Sequence, residues 1–245
     1  MEDNKPYEKL ALIYDRLMEH VDYQMWSDYV IQLTKPVAKG LLSVADLACG
    51  TGNFLPYFKK HFPFVFGCDI SETMIQQASQ KAGLKKIPLF VNDIRHTALP
   101  NKCVNLAVFL YDSLNYLTET EMLWKAMAEV NRILADNGLF VFDIVSEQHC
   151  LNYYADYHEN EYWGSNGYAR HSHYDQKKRI QYTDFRIIVN GFTFRESHIQ
   201  KIYSTEQLVN VLHENSLRVI NIFEEFSFEN VTAKTERIHF VCQKI

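Results

Sequence analysis

Nine residues in the first quarter of the chain constrain it most: Val44-Ala45-Asp46-Leu47-Ala48-Cys49-Gly50-Thr51-Gly52. An apolar run reaches an acid, a loop with two glycines follows, and a helical stretch begins near Asn53-Phe54-Leu55. This is the pattern of a buried strand, a sharp turn and a helix. Glycine suits the turn because it tolerates positive φ and lets a ligand approach the backbone closely. Asp46, in the second half of the strand, then lies at the edge where open α/β sheets bind their ligands.

Two more acids follow in the same position. Phe64 to Ile70 is a second strand, ending in Asp69 roughly twenty residues after the glycine loop, a spacing at which an acid commonly bonds ribose hydroxyls. Leu89 to Ile94 is a third, with Asp93 near its end. Three successive strands ending in acids outline a pocket for an adenosine-containing ligand. A dinucleotide fits less well. Gly50-Thr51-Gly52 is followed by Asn53-Phe54-Leu55 with no third glycine, and Asp46 would face a negative pyrophosphate.

With these motifs the chain resembles the class I S-adenosylmethionine-dependent methyltransferases. The resemblance implies that Asp46 to Gly52 hold the methionine portion of S-adenosylmethionine, Asp69 the ribose, and Asp93 the adenine amino group. It places Ala48, Cys49, Gly50, Gly52, Ile94 and Tyr111 around the cofactor, with Ile70 and Met74 on either side of the adenine. Ala48 departs from the glycine usual in the family and narrows the space there. The segment Tyr14-Asp15-Arg16-Leu17-Met18 is similar to one that folds over the methionine end in small-molecule members, which implies a place for the Tyr14 hydroxyl near the transferred methyl.

The 245 residues suit one domain with an embellishment. A net charge of −5 argues against a nucleic acid as main partner. No run approaches the ~18 apolar residues of a membrane span, and Met1-Glu2-Asp3-Asn4-Lys5 lacks the pattern of a secretory signal. The five cysteines show no paired spacing, so reduced thiols in a cytoplasmic protein are expected.

In chain order, residues 7–39 predict amphipathic helices covering one face of the sheet. Ser71 predicts a helix cap. Cys103 to Leu110 reads as a parallel strand buried on both faces. Tyr111-Asp112-Ser113-Leu114-Asn115-Tyr116 follows, at the rim where the methyl acceptor sits. This is not the Asn/Asp-Pro-Pro-aromatic sequence of methyltransferases acting on base or glutamine amides. Thr118 and Glu121 form a capping-box pattern for a helix to about Leu134, stopped by Asp136-Asn137-Gly138, with a fifth strand over 139–145.

Beyond residue 150 the pattern changes. Residues 151–166 show no clear periodicity. Tyr168 to Asp175, Arg179 to Val189 and Phe192 to Tyr203 then read as three strands, the last two joined by the hairpin signal Asn190-Gly191. Thr183, Phe185, Ile187 and Val189 predict the face that docks on the core, leaving Tyr182, Asp184 and Arg186 to line a pocket or meet solvent. His171 and His173 share a strand face without a third ligand at recognisable spacing, so no metal site is expected. Ser204 and Gln207 predict a capping box, and 217–226 and 237–244 two last strands.

The expected architecture is α/β: a Rossmann-like, mostly parallel seven-stranded sheet with helices on both faces. Residues 1–150 and 204–245 form this core, with 1–39 as covering helices, and 151–203 an inserted antiparallel β lid over the acceptor. The expected activity is in-line transfer of the methyl group of S-adenosylmethionine to an N or O nucleophile of a small-molecule acceptor. Tyr14 and Asp112 are the candidate catalytic residues. A regulatory cofactor-binding protein without turnover, and a protein or RNA methyltransferase, are the alternatives. A homodimer is compatible with the composition.

Overall fold

The computed structural model describes residues 4–37, 40 and 42–245. Its main sheet holds β1 (Ser43–Asp46), β2 (Phe64–Asp69), β3 (Leu89–Val91), β4 (Val104–Phe109) and β5 (Leu134–Val145) in parallel. A second sheet holds β6 (Tyr157–Trp163), β7 (Asn166–Asp175), β8 (Ile180–Val189) and β9 (Phe192–Lys201), antiparallel throughout. The chain then returns as β10 (Leu217–Glu224) and β11 (Arg237–Lys244), with β11 antiparallel to β5. The main order is β10-β11-β5-β4-β1-β2-β3. The chain direction across the sheet reverses between β1 and β4, and a doubly wound sheet opens its ligand crevice there.

Strand alternation divides the core in two. Ala107, Phe109, Phe140 and Phe142 face one side, under α5 (Thr120–Ile133) and α7 (Thr205–Glu214). Leu106, Val108 and Val141 face the other, under α2 (Tyr23–Thr34), α3 (Leu55–Lys59) and α4 (Glu72–Gln80). The expected helices on both faces are present. Ser71 caps α4 through Met74 N, and Ser204 and Gln207 complete the capping box of α7.

Some boundaries differ from expectation. Residues 7–37 form a 3-10 turn (Leu10–Leu12), a single helical turn α1 (Tyr14–Leu17), and α2, capped by Asp22; residues 38 and 39 lie outside the described residues. Helix α5 begins at Thr120 behind Glu119, whose side chain makes no capping bond, so Thr118 caps nothing. Asp136-Asn137-Gly138 is not a helix stop either. It lies within β5, where Asn137 has φ +60° and the register against β4 slips. Turn residues serve here as a bulge.

The insertion begins with α6 (Glu147–Tyr153), which straddles residue 150, and has four strands where three were expected. The missed strand β6 alternates between half-buried and exposed positions, too polar to read as a strand. Thr183, Phe185 and Ile187 are buried, and Phe185 and Ile187 pack on Leu10 and Ile13 of the N-terminal segment. Asp184 and Arg186 are exposed and Tyr182 lies flat on His173, and none of the three lines the cavity at the strand ends. Glu196, His198 and Gln200 of β9 are buried, as are Ser172 of β7 and Gln181 and Thr183 of β8.

Candidate active site

At the carboxyl ends of β1, β2 and β4 lies a cavity of about 820 Å³, bounded by the N-terminal segment, the glycine loop and the turn after β4. Gly50 and Gly52 hold φ of +53° and +80°. Their reasons differ. A Cβ on Gly50 would make ordinary van der Waals contact with Met74 and Tyr14, each at 3.9 Å, whereas one on Gly52 would strike Leu84 at 2.5 Å. Gly50 faces the cavity; Gly52 packs the loop and borders a smaller cleft of about 490 Å³ beside Asp15 and Lys81. Gly67, which the sequence reading passed over, is needed too, since a Cβ there would meet Leu55 at 2.7 Å and Cys49 at 2.9 Å.

The three acids occupy different surroundings. Asp46 is fully buried beneath the loop. Oδ1 accepts a 3.3 Å bond from Ala48 N–H, and Oδ2 has no partner. Burial, reinforced by the nearby Asp69, pushes its carboxyl up to about 7 despite the Ala48 bond. Asp69 faces the cavity with its oxygens fixed by backbone donors, Gly50 N–H and Ser71 N–H, each at 2.9 Å. Burial still raises its pKa. Asp93 borders the cavity clamped by Arg95, whose hydrogen bonds hold its carboxyl below the usual range.

Of the remaining expected site residues, Ala48, Cys49, Ile70, Met74, Ile94 and Tyr111 all line the cavity. Ile70 is 61% exposed and Met74 is 2% exposed, so they differ as walls. Ile70 has surface to offer a ligand; Met74 doubles as core. Tyr14 lines the cavity, its ring meeting Tyr7 edge-on at 5.8 Å. Burial drives the Tyr14 hydroxyl well above the ordinary phenol range, which keeps it neutral and unsuited to act as a base.

Asp112 is placed behind the wall rather than in it. Its Oδ1 accepts from Arg237 Nη2 at 3.0 Å and its Oδ2 from Gln200 Nε2 at 2.7 Å. Tyr111 and Asp112 both adopt left-handed backbone, φ +59° and +50°. Their N–H groups are held by the two oxygens of Asp143, itself paired with Arg237. The acid that interrupts β5 therefore fixes the strained turn after β4. Residues held this way cluster at functional sites. Here the turn presents Tyr111 to the cavity, and Arg237 lies 5.1 Å from the Tyr111 ring and 5.2 Å from Trp26. Burial, opposed by Arg237, lifts both carboxyls above their usual values.

Tyr116, the last residue of the rim segment expected at the acceptor, lines the cavity, as do Tyr7 and Tyr23, for which the sequence offers no local signal, any more than it does for Arg237. Glu196, wholly buried, accepts Tyr7 N–H and Leu10 N–H at 2.9 and 3.0 Å and also Lys9 N–H, so the lid holds the N-terminal segment against the cavity. The available signal was alternation: Glu196, His198 and Gln200 share the inward face of β9. On the outer face of the lid, Asp156 and His158 join His171, three ligand atoms within 4.8 Å. Asp156 Oδ1 already bonds both imidazoles, at 3.2 and 2.7 Å, and His173 lies on Tyr182 instead.

The site fits S-adenosylmethionine on three grounds: Asp46, which does not itself line the cavity, holds an orphaned carboxyl oxygen beneath the loop; Gly50 faces the cavity without a Cβ; and Asp69 is fixed toward the opening. Comparison with known proteins agrees. Residues 44–138 match a methyltransferase domain family. A putative methyltransferase, YqeM, of Bacillus subtilis (strain 168) is 29% identical over 97% of both chains. An S-adenosylmethionine-dependent methyltransferase from Clostridium acetobutylicum ATCC 824 superposes with a TM-score of 0.81 at 27% identity, covering 97% of this chain and 98% of that one. A dTDP-3-amino-3,4,6-trideoxy-alpha-D-glucopyranose N,N-dimethyltransferase of Streptomyces venezuelae is 30% identical over half of each chain. Residues 44–138 therefore carry a methyltransferase domain, on the class I fold of S-adenosylmethionine-dependent methyltransferases, and S-adenosylmethionine is the cofactor of that fold's members. Among the described residues, no helix is long and apolar enough to cross a membrane.

Proposed function

We propose that this S-adenosylmethionine-dependent methyltransferase methylates a nitrogen or oxygen nucleophile of a small molecule, and that the preferred acceptor is an amine. One observation carries the reading: five tyrosines, Tyr7, Tyr14, Tyr23, Tyr111 and Tyr116, converge on the cavity. Burial raises the hydroxyls of all five, so they stay neutral phenols. Neutral aromatic walls attract cations through their faces, which favours an acceptor that arrives as an ammonium. The amino-sugar acceptor named for the Streptomyces venezuelae relative supports the same choice.

In this reading Asp46 Oδ2 receives the cofactor's ammonium, with the backbone of Ala48, Cys49 and Gly50 around the methionine portion. Asp69 takes the ribose hydroxyls, Asp93 and Ile94 border the adenine, and Ile70 and Met74 flank it. When bound, the cofactor supplies a methyl already activated by a positive sulfur, so no covalent nucleophile is needed. The chain's contribution is alignment and exclusion of water, which can supply ~7–11 kcal/mol. Tyr14 and Tyr7 close the cavity from the N-terminal side. Asp112 acts as a positioning residue for Tyr111.

The test is an acceptor panel of amino sugars, free and nucleotide-linked, each with its hydroxyl counterpart, read as S-adenosylhomocysteine release. Turnover with amines and not with the matched alcohols is expected. Turnover with alcohols alone would move the acceptor atom to oxygen. Cofactor binding without turnover on any small molecule, protein or RNA would return the chain to a binding role.

A further inference from the structure

Methylating an ammonium leaves one proton to be removed, and Tyr14, Asp112 and the cofactor acids do not remove it. Tyr14 is a neutral phenol, and both oxygens of Asp112 are occupied behind the wall. One chain of groups does lead from the cavity into the lid, ending on the buried Glu196. Tyr7 Oη lies 2.7 Å from Tyr116 Oη, and Tyr116 Oη lies 2.9 Å from His198 Nδ1. His198 Nε2 lies 3.2 Å from Glu196 Oε2. The two phenols line the cavity, while His198 is 3% exposed and Glu196 is fully buried.

We propose that His198 and Glu196 of the lid form the proton exit of the acceptor site, acting through Tyr116 and Tyr7. This rests on the amine reading above. Glu196 accepts three backbone N–H groups, Tyr7 on Oε2 and Lys9 and Leu10 on Oε1. A carboxylate facing Nε2 fixes that nitrogen as a donor and leaves Nδ1 to accept the Tyr116 hydroxyl. The chain is then oriented outward. The acceptor N–H bond breaks with its electron pair staying on nitrogen, and the proton passes to Tyr116 Oη, directly or through Tyr7. The Tyr116 hydroxyl proton moves to His198 Nδ1, and the Nε2 proton moves to Glu196 Oε2. An ammonium and a carboxylate become an amine and a carboxylic acid, and neither phenol is left ionised. That matters because burial holds both phenols well above their ordinary range.

Four side chains are seen against His198. Tyr7 meets its ring edge-on at 4.8 Å from the N-terminal segment, Tyr116 from the turn after β4, and Glu196 from β9 itself. From β8, Phe185 covers it at 5.1 Å. This also explains a histidine–glutamate pair on the inward face of a lid strand, where packing alone would favour apolar side chains.

Two measurements test the exit. The first reads the imidazole nitrogens of His198 by 15N NMR, assigned through His198→Asn. The neutral tautomer with hydrogen on Nε2 is expected, and Tyr116→Phe should shift the Nδ1 resonance. Hydrogen on Nδ1 would point the chain inward and overturn the proposal, whichever acceptor proves right. The second compares kcat against pH using the best amine of the panel. His198→Asn keeps an acceptor for Tyr116 but breaks the link to Glu196. It should lower kcat roughly a hundredfold near neutral pH, leave KM for S-adenosylmethionine within about twofold, and show a rate that keeps rising with pH as free amine accumulates. Tyr116→Phe should do the same, which serves if the histidine variant does not fold. Wild-type pH dependence in a folded variant would overturn the exit and leave the methyltransferase reading standing. A panel in which no amine is turned over would sink the amine reading, while the tautomer result would stand.

Discussion

Thr51 Oγ1 donates a 2.6 Å hydrogen bond to Asp15 Oδ1, joining the N-terminal segment to the glycine loop. Asn53 Nδ2 and Lys81 Nζ reach the same oxygen, at 3.1 and 2.9 Å. One carboxylate therefore ties α1 to the loop and to the end of α4. Tyr14, its neighbour in sequence, lies on the cavity side.

The expected consequence is kinetic. Asp15→Ala should speed release of S-adenosylmethionine, because the segment closing the cavity loses its tie. The carboxylate is half exposed and screened, so a loss of about 1 kcal/mol is expected, or roughly fivefold in affinity. Stopped-flow dissociation measures it, and an unchanged off-rate would show that the segment closes without this bond.

Asp69→Ala should act on equilibrium binding itself. Hydrogen bonds from ribose hydroxyls to a carboxylate are charge-assisted and worth ~1.5–3 kcal/mol, tenfold to over a hundredfold in affinity. Asp69→Asn should fall between the two, since its one carbonyl oxygen preserves only part of the loop contact. Calorimetry with unchanged affinity in the alanine variant would remove Asp69 from the site.

Asp46 should make cofactor binding pH-dependent. Its carboxyl sits near 7 in the free protein, mainly through burial, so below that pH the neutral form dominates. An incoming ammonium pairs with the carboxylate, so binding releases a proton and affinity weakens as pH falls, by up to about tenfold per unit. Calorimetry between pH 5.5 and 7.5, in buffers of different ionisation enthalpy, reads both effects. Asp46→Asn should bind weakly and without that pH slope.

The sequence carried the main sheet because its parallel strands read as apolar runs, the first three with an acid at or just past the end. The same local signal carried Asp46, Asp69 and Asp93. It did not carry Arg237, which is more than ninety positions from Asp143 and meets it only because β11 pairs with β5. Nor did it carry β6, whose outward positions are polar, or Tyr7, which reaches the cavity because Glu196 holds its backbone. These depend on tertiary pairing, which a local pattern does not encode. Asp112 shows the converse: a polar residue after a buried strand reads as catalytic, yet its partners turn it away from the cavity.

His239 should govern acid stability. It is fully buried among Trp26, Tyr29 and Phe226 with neither ring nitrogen bonded, and burial, with Arg237 adding to it, depresses its pKa to about 3. The unfolded chain takes up a proton near pH 6.5 that the folded one refuses, so stability is lost as pH falls through that window. The slope is at most about 1.4 kcal/mol per pH unit. Asp46 contributes the opposite slope over part of the range, so the measurement is the difference between wild type and His239→Phe in urea unfolding from pH 4 to 7. The variant should show the flatter dependence, and parallel curves would exclude His239 as the cause.

The lid's grip on the N-terminal segment is separable from any contact with the cofactor. Glu196 is not among the residues lining the cavity, yet it holds the backbone of Tyr7, Lys9 and Leu10. Glu196→Ala leaves three N–H groups without their acceptor, at ~1–3 kcal/mol for each one that stays buried. The segment is the cheaper thing to release, since its remaining ties are a small apolar cluster of Leu10 and Ile13 on Phe185 and Ile187 and scattered polar contacts: the Tyr7 hydroxyl on Tyr116, the Ser71 hydroxyl on Tyr7 C=O, Arg16 on Glu161, Asn4 on Arg195 and Asp15 on the loop. The main sheet should therefore keep its cooperative unfolding while S-adenosylmethionine affinity falls about tenfold and amide exchange rises over residues 7–17. Glu196→Gln keeps one carbonyl oxygen and should recover part of the affinity. Full affinity in the alanine variant, with exchange unchanged over that segment, would show that the lid does not hold it.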